Sequence, residues 1–245
     1  IWLIAKKDFL LNLTSPRFII GFLLCVVIIP FTMIVSVDGY RNQRRVYEVD
    51  QAEVKKNWNE IKVYSAVRPV VVAEPQPLGI FTRGVSDNMG NQVNVRLGEY
   101  PLFPSGHAGT RDNPLLNAFF SIDFTTVIAI LMSLLALVFS YDLFTREREE
   151  GTMKLVFSNG VGRVAFLAAK FTGLFITLVP ILAFSFVLSI LIIVLSPGVA
   201  FSPSDWTGVV LLFGAALIYL VVFIVCGMLI SALSKKSSTA IVVSL

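Results

Sequence analysis

The chain has 245 residues, 56% of them hydrophobic and 15% charged, with a mean hydropathy of +0.79. A soluble domain carries about a quarter charged residues, so this excess of apolar side chains excludes a water-soluble globular enzyme and a disordered chain alike. The net charge of +4 is small and scattered, which argues against nucleic acid as a partner and leaves the lipid bilayer as the natural one. Cys25 and Cys226 both sit in apolar runs and read as small buried hydrophobes, not as a disulfide or metal pair. The sequence opens at Ile1 and stops at Leu245 within an apolar run, so it reads as a piece of a longer polypeptide.

Taken in chain order, Trp2, Ala5, Phe9 and Leu13 recur near helical spacing with Lys6, Lys7 and Asp8 between them. No signal-peptide pattern is present, and the spacing fits a helix on the inner membrane surface or an ordinary fold-back helix. A crossing helix needs about 20 mostly apolar residues. Four stretches qualify: Phe18–Val37, opened by Ser15 as cap and Pro16 in the first turn; about Ala118–Tyr141; Ala165–Leu195; and Thr207–Leu233. A fifth begins at Ala240, and six are expected in the whole protein. The fold predicted is an α-helical polytopic membrane protein with a small α+β extracytoplasmic domain. Lys and Arg crowd the flanks before Phe18, between Arg146 and Lys170, and at Lys235–Lys236, while loop 196–206 has none. That alternation puts the N-terminus in the cytoplasm and residues 38–117 outside.

Of the 80 outer residues, Tyr40 to Val63 can prolong the first helix. Arg68-Pro69 and Glu74–Pro77 then break it, and Val70–Ala73, Ile80–Thr82 and Gln92–Leu97 resemble short strands, with turn residues at Ser86–Asn91. His107 lies in a Pro/Gly-rich loop without partners for catalysis or metal binding. Ten basic and nine acidic residues give this segment no strongly charged face.

The segment from Tyr141 to Arg163 carries the chemistry. If the second helix continues into the cytosol, Arg146 and Glu150 pair at i,i+4. Gly151 is placed to end that helix and Thr152 to cap a new, short one, which Asn159-Gly160 and Gly162 then stop. Leu155, Val156 and Phe157 are thereby held on a charged stalk at the membrane mouth. By charge pattern alone this is also what a plain helical hairpin looks like.

The run Glu147–Thr152, followed by a Leu-containing turn, Ser158-Asn159-Gly160 and Arg163, resembles the signature of type-2 ABC (ATP-binding cassette) transporter permeases. It is most similar to the subgroup with a large extracytoplasmic domain between the first two transmembrane helices. Asn159-Gly160 departs from the Pro common there. The resemblance implies three regions: 1–37, an inner-surface amphipathic helix and the first transmembrane helix; 38–117, the extracytoplasmic domain; and 118–245, helices two to five with a cytoplasmic coupling segment at 142–163. It implies that Glu147, Glu149, Glu150, Gly151, Thr152, Met153, Leu155, Val156 and Ser158 dock into an ABC ATPase subunit. The further implied partners are a second ATPase, a second permease subunit, identical or related, and an extracytoplasmic accessory protein. The chain contains no Gly-x-x-x-x-Gly-Lys-[Ser/Thr] loop, so ATP and Mg²⁺ are assigned to the partner; no catalytic, cofactor-binding or metal residue is assigned here. The function expected is a permease, not an enzyme, of a bacterial inner (plasma) membrane, driving substrate export or work on an outer partner. The alternative is a membrane receptor or sensor with an extracytoplasmic ligand-binding domain.

Other residues have plainer readings. Pro30 and Pro180 kink spans, and Lys170 reaches the cytosolic interface by snorkelling. Asp123 is an interfacial or capping carboxylate, and Asn12-Leu13-Thr14 is a sequon on the cytoplasmic side. Ala169/Gly173 and Gly214-Ala215-Ala216 are smooth patches able to seat a neighbouring helix.

Overall fold

A computed structural model describes residues 2–60, 70–82, 92–94, 104–105, 123–234 and 236–244. His107, Arg83, Arg96, Lys235, the Ser86–Asn91 turn and the start of the second span at Ala118 lie outside them. Helix α1 spans Trp2–Leu13, and α2 spans Pro16–Glu60 with Pro30 inside it. Ser15 Oγ accepts the Phe18 N–H at 3.3 Å, satisfying one of the donors that a helix start leaves over, as its position before Pro16 predicts. The charged stretch after Val37 continues as helix because neither Pro nor a turn cluster intervenes before Glu60.

Among the described residues three short strands follow, β1 (Val70–Val72), β2 (Gln92–Asn94) and β3 (Pro104–Ser105). They form one antiparallel sheet in that order, with Val71 opposite Val93 and Val93 opposite Pro104. The predicted strand at Ile80–Thr82 is corrected. Pro77–Ile80 is a 3-10 turn, because Pro at its first position presets the turn's φ and Gly79 imposes no β preference.

Helix α3 covers Phe124–Ser140, α4 Thr145–Glu149, α5 Thr152–Ser158, α6 Arg163–Leu195 with Pro180 inside, α7 Pro203–Leu233 and α8 Ser237–Ser244. Among the described residues four helical stretches, Pro16–Lys56, Phe124–Glu149, Arg163–Leu195 and Pro203–Leu233, are long and apolar enough to cross a membrane. The fifth helix starts at Ser237, three residues before the predicted Ala240, because Glu149 caps it.

Two compact units divide the chain. One comprises Ile1–Phe31, Thr126–Leu191 and Val209–Leu245. Its core holds Cys25, Ile29, Met132, Ala136, Phe166, Leu174, Leu178, Leu182, Leu220 and Ile224. In a membrane, close packing of small residues brings helices together, and α6 and α7 each show it. A Cβ on Gly173 would meet Asp8 Cβ at 3.1 Å and Ala5 O at 3.3 Å, so α1 lies against the Ala169/Gly173 patch as a small-residue seat predicts. A Cβ on Gly227 would overlap Ser140 Oγ, so α7 is seated against the end of α3. Gly214 has nothing within 4 Å at that position and seats no described neighbour. Cys226, read as buried, is exposed on α7, whereas Cys25 is buried.

The other unit comprises Thr32–Thr125 and Ile192–Gly208. Met33, Val37, Tyr40, Ile80, Phe81 and Phe124 are buried within it. The Phe81 and Phe124 rings meet edge to face at 5.1 Å, and Thr125 donates both its N–H and its hydroxyl to the Phe81 carbonyl at 3.1 and 3.0 Å. Asp123, directly before α3, is buried.

Candidate functional site

The segment 142–163 begins where α3 ends. Residues 141–144 form a turn in which the buried Phe144 donates its N–H to Ser231 Oγ at 3.0 Å. Asp142 accepts from Arg17 at 2.7 Å, and the Arg17 guanidinium lies 5.1 Å from the Tyr141 ring centre. The charges of α4 then go to separate recipients. Arg146 pairs with Glu150 at 3.0 Å, the predicted i,i+4 contact. Arg148 donates to the carbonyls of Ser234 at 2.8 Å and Ala232 at 3.2 Å, which serves the orphan acceptors at the end of α7. Glu149 accepts from the N–H and hydroxyl of Ser237 at 2.8 and 3.0 Å, so it caps α8.

Glu147 has the deepest contact. It accepts a short hydrogen bond from Lys170 Nζ, and that ammonium also straddles the Asp8 carboxylate, 3.1 Å from Oδ1 and 3.0 Å from Oδ2. Only the Oδ1 contact has hydrogen-bond geometry, so Asp8 Oδ2 and Glu147 Oε2 are buried without a donor among the described residues. The Lys170 side chain is 3% exposed and stacks 5.5 Å from the Phe166 ring centre. Burial pushes the Asp8 carboxyl above its ordinary value, more strongly than the Lys170 ammonium pulls it down.

Two sequence expectations are corrected here. Lys170 does not snorkel: the close seat of α1 on Gly173 encloses its ammonium, and two carboxylates take the place of water. Asp8 does not belong to the polar outer face of α1. Asp8 and Ala5 turn inward, while Trp2 and Leu3 are 68% and 83% exposed. The exposed face of α1 carries Lys6 and Lys7 together with Trp2, Leu3, Leu10 and Leu11.

Gly151 sits at φ 72°, the left-handed region where a Cβ is unfavourable, and this bend separates α4 from α5. Thr152 was expected to cap α5 and does not. Gly151 occupies the cap position, and Thr152 is the first helical residue, its hydroxyl reaching back to the Glu147 carbonyl at 3.3 Å. Because the left-handed glycine makes the break, no side-chain cap is needed to redirect the chain. Gly160, at φ 75°, ends α5 as its sequence position predicts.

The two faces of α5 differ. Met153 and Phe157 line a cavity of about 620 Å³ together with Phe144, Phe166, Arg148 and Ala232, and the Phe157 ring meets Phe166 edge to face at 5.5 Å. Leu155 is 65% exposed, Val156 is half-buried, and Ser158 is exposed with its hydroxyl on the Leu155 carbonyl at 2.9 Å. The structure thus brings Glu147, Glu149, Glu150, Thr152, Met153 and Val156 into contacts within this unit or its partly covered face. Leu155, Lys154 and Ser158 are left facing outward. Sequence reasoning missed Asp8, Arg17, Ser231 and Ser237 as members of this site. Only Lys170 carried a signal, as an ionisable group within a span beside a small-residue pair.

Comparison with known families matches residues 2–245 to a family described as ABC-2 family transporter protein. No curated protein matches the chain.

Proposed function

This chain belongs to the ABC-2 transporter family, and on that premise we propose that its α4–α5 hairpin is the element through which a separate ATPase drives it. A member of this family is an integral membrane permease component that works with an ABC ATPase. The observation that carries the finer reading is Leu155, a large apolar side chain 65% exposed on the outer face of a seven-residue helix. Beneath it Met153 and Phe157 pack inward, and the stalk is braced to α6, α7 and α8 through Lys170, Ala232, Ser234 and Ser237. A braced stalk moves its helices when pushed, and an exposed apolar knob on polar surroundings suits a partner's groove.

In this reading the N-terminus and the hairpin face the cytoplasm of a bacterial inner membrane. ATP and Mg²⁺ act on two partner ATPase subunits, and two permease subunits move in response. The transported material passes outward, or the motion is spent on a partner outside. Residues 38–117 then form an extracytoplasmic α+β domain, a reading supported by their position between the first two spans and by the small antiparallel sheet within them.

The test is expression of Leu155→Asp, Gly151→Val and Glu150→Lys with the cognate ATPase. Each should reach the membrane at near-normal levels yet retain less ATPase on purification, or uncouple its hydrolysis from transport. Gly151→Val adds a local cost of about 1–2 kcal/mol at a left-handed backbone, confined to the bend. Full association and full transport in all three variants would reduce the hairpin to a connector.

A further inference from the structure

The outer unit contains a basic cleft that the coupling reading does not use. Helix α2 carries no charge from Phe18 to Val37, and Arg41, Arg44, Arg45 and Glu48 follow at i, i+3, i+4 and i+7, one face of the helix. At 1.5 Å per residue, Arg41 lies about 6 Å and Arg45 about 12 Å beyond the last apolar residue of the run. The headgroup layer adds roughly 5–7 Å to each side of the hydrocarbon core, so these guanidiniums stand in it and just above it.

Gly198, Val199 and Ala200 form the opposite wall and, with the arginines, line an open, shallow cleft of about 480 Å³. Arg41 fastens that wall by donating Nη2 to the Pro197 carbonyl at 3.0 Å. Gly198, at φ 91°, makes the turn. Phe201 and Trp206 pair 5.5 Å apart on the same connection, as aromatic residues do at a membrane boundary. The wall offers no side-chain charge. Tyr40 hydrogen-bonds the Arg44 guanidinium, Glu48 contacts it at 3.6 Å and Glu74 is within Coulombic reach, so among the described residues three guanidiniums are set against two carboxylates. An excess of guanidinium among the described residues, forked for multi-oxygen acceptors and set at headgroup depth, favours phosphate among the anions found there.

We infer that the cleft formed by Arg41, Arg44, Arg45 and loop 197–200 binds a phosphate group at the membrane surface, as a phospholipid headgroup or a free phosphate. This does not depend on the hairpin reading, and its test involves no ATPase. The full chain in a phosphate-free maltoside detergent is titrated with short-chain phosphatidylglycerol, with inorganic phosphate and with diacylglycerol, while its thermal unfolding is followed. Stabilisation by phosphatidylglycerol alone identifies a lipid headgroup; stabilisation by inorganic phosphate as well identifies a soluble ligand. No response to either, or an equal response to diacylglycerol, overturns the site. The Arg44→Gln/Arg45→Gln double variant leaves the Arg41 fastening intact and should weaken the apparent affinity about tenfold or more. Glu48→Gln removes an opposing carboxylate and should tighten it. Unchanged affinity in the double variant, or weaker affinity in Glu48→Gln, also overturns the site.

Discussion

Lys170 and Arg44 are both cations near the ends of apolar runs, yet the Lys170 side chain is 3% exposed between two carboxylates and that of Arg44 is 43% exposed and in contact with Glu48. Each sits in a different unit, and each unit handles its charge differently. Around Lys170, water is excluded by α1 seated on Gly173, so the charge has to be matched from within the protein or the helix cannot pack. Around Arg44, solvent screens the charge and the protein leaves it in excess. A buried charge therefore reports on assembly of the fold, whereas an open one is available to something else.

The largest expected effect comes from breaking the buried side of this comparison. Lys170→Met leaves Asp8 and Glu147 enclosed without their cation, and loss of one partner of a buried ion pair costs about 3–5 kcal/mol. Thermal unfolding in detergent should drop sharply, and α1 should become accessible to limited proteolysis near Lys6. Adding Asp8→Asn and Glu147→Gln removes the orphaned charge and should restore most of the loss. Failure of that triple variant to recover would mean that shape, not charge, holds the cluster.

A smaller effect is expected from pH. The folded Asp8 carboxyl is raised above its ordinary 3.8 by burial, so the folded state holds a proton that the unfolded state has released. The corresponding stability is fully present below about pH 3.8 and is lost as pH rises through the higher folded value. Relative to Asp8→Asn, the wild-type chain should therefore lose stability as pH climbs out of the acid range. Parallel curves for the two proteins would show that Lys170 offsets the burial completely.

The smallest effect sharpens the open side. Arg44→Gln without ligand should leave the unfolding temperature unresolvably changed, because the side chain is solvated and its pair with Glu48 is exposed. A clear drop would place Arg44 among the structural charges and erase the contrast with Lys170.

Much of the local structure, at the start of α2 and in the hairpin, was legible in the sequence because its determinants are local. Ser15 before Pro16, Gly151 after the charged run, the Arg146–Glu150 spacing and the stop at Gly160 each act within a turn of the backbone, and each acts as its position predicts. Thr152 failed as a cap for an equally local reason, since the left-handed Gly151 had already made the break. The exposed Leu155 and the inward Met153 and Phe157 could not be separated by pattern, because a seven-residue helix gives too few turns to define an apolar face.

The sequence by itself determined that the chain enters a membrane and where its apolar helices run, since length and hydropathy fix both. Only the tertiary structure decided what the charges do. Glu147, Arg148 and Glu149 are consecutive, yet they serve Lys170, the end of α7 and the start of α8 respectively. Asp8 and Lys170 are 162 positions apart and meet because Gly173 admits the backbone of α1. The Ala169/Gly173 and Gly214–Ala216 patches look alike in sequence, yet among the described residues Gly173 meets a neighbouring helix and Gly214 meets none. A small residue permits close approach without specifying which helix makes it, and an ionisable residue acquires its role from the partner that packing delivers.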